Sequence, residues 1–156
     1  MKTFIACAVF LGACSSKPAA PPAPKTDPNA KPYTLSVEAP ASAKVGAENQ
    51  FRIVLLPAAG YHINDDGYPF EIDLVTTAAK ITKTKYEQAD AKVYSKEQAR
   101  FEIPFTPTQV GPGEYKANVS LAVCRENECI PRKETLSWKT VAAQPGPLRE
   151  AQGGSR

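Results

Sequence analysis

Cys124 and Cys129, in Val123-Cys124-Arg125-Glu126-Asn127-Glu128-Cys129-Ile130-Pro131, are the residues best suited by type and spacing to covalent chemistry. Such a pair either closes a permanent disulfide or cycles between dithiol and disulfide through thiolate attack and a mixed disulfide. Cycling requires a populated thiolate. Around the pair, Arg125, Arg132 and Lys133 are balanced by Glu126, Glu128 and Glu134, so the sequence offers no electrostatic activation. His62 is the only histidine and Met1 the only methionine. No copper or zinc set can be assembled from them, and neither a metal nor a cofactor is expected. Asn64-Asp65-Asp66-Gly67 lacks the later glutamate of a calcium loop and reads as a turn. No Ser/His/Asp set and no phosphate-cradling glycine loop is present, which leaves hydrolase and nucleotide chemistry without support. Asn118-Val119-Ser120 matches a glycosylation sequon but falls inside an expected strand.

The elements that must hold the cysteine pair are short strands. Apolar and polar residues alternate at Tyr33-Leu35-Val37, Phe51-Ile53-Leu55, Phe70-Ile72-Leu74, Phe101-Ile103-Phe105 and Tyr115-Ala117-Val119-Leu121-Val123. Leu136 and Trp138 mark a last strand, and a weaker one over Lys80 to Tyr86 brings the count to seven. This period of two marks half-buried antiparallel strands. Turn residues punctuate them at Ala59-Gly60, Asn64 to Gly67 and Gly111-Pro112-Gly113. The expected fold is all-β, an immunoglobulin-like antiparallel sandwich. Glu87 to Gln98 reads as a long loop, with a helical turn at Glu97-Gln98-Ala99.

Cys124 and Cys129 flank a polar loop, Arg125 to Glu128, at the mouth of a hairpin. If they lie opposite each other, Ala117 meets Leu136 and Tyr115 meets Trp138, so the inward residues of both strands coincide. Cys124 then shares its parity with Lys116, Asn118 and Ser120, and both sulfurs face away from the core. An inter-sheet bridge like that of antibody domains would need a cysteine near Phe51 to Leu56, and none is there.

The chain opens with Lys2 and the apolar run Thr3 to Leu11, too short to span a bilayer and long enough for an export signal. Leu11-Gly12-Ala13-Cys14 resembles the bacterial lipobox. That resemblance implies a signal peptide over 1–13, which takes Cys7 with it, and a Cys14 that becomes the lipidated first residue. The partner there is membrane lipid, held through the acylated cysteine. Residues 14–32, rich in proline and alanine and without a large apolar side chain, form a tether. The domain spans 33–141, and 142–156 reads as a disordered tail. Loss of Lys2 with the signal lowers the formal charge from +3 to +2, with both signs interspersed, which argues against nucleic-acid binding. The expected location is the cell envelope, with Ser15 favouring the outer over the inner membrane by resemblance to enterobacterial sorting rules.

Gly60-Tyr61-His62-Ile63, Ala99 to Thr106 and the hairpin from Tyr115 to Trp138 together resemble the immunoglobulin-like N-terminal periplasmic domain of the thiol:disulfide interchange protein DsbD. The resemblance implies that Cys124 and Cys129 are catalytic, with Cys129 contacting downstream proteins. It implies a cap over the sulfurs within Tyr86 to Ser95, with Val93 or Tyr94 as its apolar residue. It also implies two kinds of partner, a separate membrane reductase and exported thiol proteins. Glu128 and Ile130 stand where that family carries aromatic residues, and the inter-cysteine loop is shorter. The alternative is a non-catalytic binding or scaffold lipoprotein whose disulfide is structural and whose loops make the contacts.

Overall fold

Alternation of side chains decides the architecture. In the computed structural model, which describes residues 31–65 and 67–144, the strand Ala99–Pro107 buries every second residue along its whole length. The strands in chain order are β1 (Tyr33–Glu38), β2 (Ser42–Lys44), β3 (Asn49–Pro57), β4 (His62–Ile63), β5 (Glu71–Thr76), β6 (Ala79–Lys80), β7 (Lys85–Glu87), β8 (Val93–Tyr94), β9 (Ala99–Pro107), β10 (Gly111–Arg125) and β11 (Glu128–Ala143). One sheet has the order β1-β3-β9-β6, with β8 also on β9; the other runs β2-β11-β10-β5-β7, with β4 also on β10. The result is an immunoglobulin-like antiparallel sandwich, as the alternation implied.

The core lies between the sheets. Phe51, Ile53, Leu55, Phe101, Ile103 and Phe105 from one sheet meet Ile72, Tyr115, Ala117, Val119, Leu121 and Val123 from the other. At one end an aromatic group ties them together, with Trp138 edge-on to Phe51 at 4.8 Å and stacked on Tyr115 at 5.6 Å. Nearer the other, Phe70 stacks on Phe101 at 5.0 Å. Removing this apolar surface from water is the main favourable contribution to the fold.

Three segments depart from the sequence reading. The expected strand over Lys80 to Tyr86 is broken at 81–84, because β6 joins the β9 sheet and β7 joins the β5 sheet; the chain crosses the sandwich there. The expected helical turn at Glu97-Gln98-Ala99 is a tight β8–β9 hairpin instead. The Ser95 hydroxyl accepts from the amides of Glu97 and Gln98, which competes with helical bonding. A 3-10 turn at Gln88–Asp90 occupies the preceding loop, where Asp90 accepts from the Glu87 amide. Lastly, β11 runs to Ala143, and Ala142 is buried against the parallel β2. Between β1 and β2 the chain changes sheets around Pro40, where proline enforces extended backbone.

Candidate functional site

The two long strands β10 and β11 place Cys124 directly opposite Cys129, with Ala117 opposite Leu136 and Tyr115 opposite Trp138. This is the register that parity requires. The cysteines form a disulfide across the pair, with Cα atoms 4.0 Å apart, the close spacing of a non-hydrogen-bonded pair. Arg125 pairs with Glu128, so only Glu126 and Asn127 make the turn, and this tightness forces Glu126 to a φ of 54°. A residue with a Cβ tolerates that region poorly.

Parity alone misjudges how accessible the sulfurs are. Cys124 stands outside the core cluster, as its parity implies, yet it is only 2% exposed, while Cys129 is exposed. The cause is β4, which pairs with β10 on its other side and sets His62 opposite Cys124. The Asn64 amide donates to Ala122 O at 3.1 Å and extends that cover. Cys124 is therefore flanked on both sides along the outer face, by Cys129 and by His62.

Loops converge on this end of the sandwich. The Ala58–Tyr61 turn, closed by Tyr61 N–H to Ala58 O at 2.9 Å, uses Gly60 at a φ of 83°, a conformation that favours glycine. It presents the Tyr61 ring to the Arg125 guanidinium at 5.9 Å, a cation–π distance. The β8–β9 hairpin joins through Ile63 N–H to Lys96 O at 2.8 Å and a Lys96–Asp65 ion pair at 3.9 Å.

Val93 and Tyr94, the residues expected to cap the sulfurs, take these places in the network. Val93 pairs with Arg100 in the β8–β9 ladder. Tyr94 lies edge-on to Phe70 at 6.0 Å, and its hydroxyl donates to Asn64 O at 2.8 Å. Burial, and after it the Asp65 carboxylate, push the Tyr94 phenol up to about 12. Through Asn64 and Ile63, Tyr94 positions β4, and β4 in turn covers Cys124. Sequence alone does not assign Tyr61, Asn64 and Arg125 to this network. The signal for Tyr61 was its place after the turn glycine.

No group of three or more His, Cys, Asp or Glu side chains suited to hold a metal ion occurs among the described residues. Asp66 of the Asn64 to Gly67 turn, the whole of 1–13, Cys14 and residues 15–30 lie outside the described residues, and so do 145–156. Among the described residues no helix is long and apolar enough to cross a membrane.

Comparison with known proteins finds no matching family model and no matching curated protein. Among solved structures, the chain is similar to AggA, the major subunit of aggregative adherence fimbriae type I from Escherichia coli, at 10% identity and a TM-score of 0.42, over 72% of this chain and 95% of that one. These findings correct the resemblance to the N-terminal domain of the thiol:disulfide interchange protein DsbD: no comparison points to that family, although the fold is immunoglobulin-like. The stretch that carried most of the resemblance was a cysteine hairpin. Two cysteines in register across a tight turn are a local feature that any antiparallel sandwich can host, and they carry no family information on their own.

Proposed function

We propose that this chain is a non-catalytic envelope lipoprotein, a binding or scaffold domain whose Cys124–Cys129 disulfide is a permanent clip. The observation that carries the reading is the cover over Cys124, which is held between Cys129 and the backbone-paired β4. A clip at this point stiffens the hairpin tip that carries Arg125 against Tyr61. Aromatic and arginine side chains on a pre-ordered support are the usual anchors of protein interfaces, since little freedom is lost when they bind.

The reduction potential of the Cys124/Cys129 pair tests the reading. A value below about −300 mV is expected of a structural disulfide. A value clearly above it, with rapid exchange against an exported dithiol protein, overturns it. The anchor is tested separately in bacteria fed an alkynyl fatty acid. Label and membrane fractionation are expected in the wild type and lost in Cys14→Ala. Equal label in both forms removes the lipoprotein part of the proposal while leaving the disulfide result untouched. Separation of the two membranes by density decides between outer and inner; Ser15 favours the outer.

A further inference from the structure

Among the described residues, one edge of β11 is free over most of its length. β10 covers one side along its length, whereas β2 takes only Val141, Ala142 and Ala143 on the other. The Val141 amide donates to Ala41 O on the β2 side, so the odd-numbered backbone groups of β11 point away from β10. The disulfide agrees, because Cys129 is also odd and sits in a close, non-hydrogen-bonded pair. By alternation the amides and carbonyls of Lys133, Thr135, Ser137 and Lys139 form a row that no described residue pairs with, about 20 Å long at ~3.4 Å per residue. Pro131, which has no amide hydrogen, closes this slot at one end, and β2 closes it at the other.

The side chains beside the slot state what it admits. On its inner flank, β1 and β11 leave a groove of about 380 Å³ whose lining includes Tyr33, Leu35, Glu134 and Leu136. Leu35 and Leu136 are only half-buried there, and Trp138, two residues further along β11, is half-buried as well. On its outer flank stand Lys133, Thr135, Ser137 and Lys139, all exposed and none acidic. Lys139 pairs with Glu114 at 2.9 Å, and Lys133 has no ion pair among the described residues. A second copy is disfavoured as occupant. The antiparallel register that uses the whole slot sets Lys133 of each copy against Lys139 of the other, and like charges directly opposite destabilise a sheet.

We propose that the β11 edge is a docking site for an extended acidic peptide of a partner protein, which adds as a strand. Its carboxylates, six residues apart, face Lys133 and Lys139, and its intervening apolar side chains enter the groove beside Leu35 and Leu136. This surface is separate from the disulfide and does not depend on the clip reading.

The probe is the end-capped peptide Gly-Glu-Leu-Thr-Val-Ser-Leu-Glu-Gly, titrated into the detergent-solubilised full chain. Trp138, the only tryptophan, lies on β11 between Ser137 and Lys139 and serves as the reporter. A saturable fluorescence change is expected, with at least tenfold weaker binding for the same peptide carrying Lys in place of Glu. Ser137→Pro removes an amide hydrogen that points into the slot and leaves the β10 ladder intact, so it is expected to weaken binding at least tenfold. If that variant does not fold, the double variant Lys133→Glu/Lys139→Glu is expected to reverse the preference between the two peptides. No saturable change, equal affinity for both peptides, or an unreversed preference overturns the proposal. So does a concentration-dependent dimer of the wild type that Ser137→Pro abolishes, since the slot would then be filled by a second copy.

Discussion

Replacing both cysteines, Cys124→Ala/Cys129→Ala, should cost the fold about 2 kcal/mol, and the figure follows from the size of the ring. The bridge spans a sequence separation of 5. Loop-closure entropy for so short a ring amounts to about 2 kcal/mol at 25 °C, against nearly 5 for a hundred-residue loop. Loss of the buried Cys124 sulfur adds a small cavity cost, held below about 1 kcal/mol by how little volume the change removes. Urea denaturation of oxidised wild type and variant measures the difference. The slope is expected to stay constant, because a short ring barely alters the surface the denatured chain exposes. Amide exchange supplies the second reading. The Ile63 and Asn64 amides bond Lys96 O and Ala122 O rather than either cysteine, so their protection should survive. A loss of 4 kcal/mol or more, or collapse of protection at Ile63 and Asn64, would refute the argument that β4 holds this end independently of the disulfide.

Other expected outcomes rest on single observations. Thr140 is 2% exposed and its hydroxyl has no hydrogen-bond partner among the described residues, so Thr140→Val should raise stability by about 1 kcal/mol in thermal or urea unfolding. Relief of the positive φ at Glu126 should let Glu126→Gly gain roughly 0.5 kcal/mol, after the entropy that glycine adds to the unfolded chain is subtracted. Phe51→Ala should lose about 3–5 kcal/mol, since the ring is buried against Phe105, Tyr115 and Trp138. The Lys31 ammonium, then the Tyr33 hydroxyl at 2.5 Å, hold the Glu134 carboxyl below its usual range. A depressed folded value stabilises the protein above the unfolded value of about 4.3 and is lost as pH falls through the folded one. Stability against pH should therefore be less steep on the acid limb in Glu134→Gln, and unchanged slopes would contradict this. Tyr94 acts in the opposite direction. Its raised phenol contributes stability that is complete below the unfolded value of about 10 and lost as pH rises through about 12. Tyr94→Phe should make the alkaline limb less steep without abolishing it, since burial also raises the phenols of Tyr33, Tyr86 and Tyr115.

Strand positions and the β10–β11 register were readable from the chain because both are local. Alternation assigns a face to each residue, and two cysteines across a short polar loop admit one pairing that keeps Tyr115, Ala117, Leu136 and Trp138 inward. The accessibility of Cys124 was not readable, since the segment that covers it is two residues long and lies about sixty positions earlier. A segment of that length has no periodicity to detect. The same limit explains the break at 81–84, where a continuous-looking strand divides between two sheets, and the place of Tyr94, whose hydroxyl bonds the backbone carbonyl of Asn64 rather than a side chain. The sequence by itself determined an all-β sandwich with a hairpin disulfide, because side-chain parity and chain proximity suffice for both. Only the tertiary structure decided which sulfur is covered and which edge of β11 stays open, because both depend on distant strands competing for the same ladder positions.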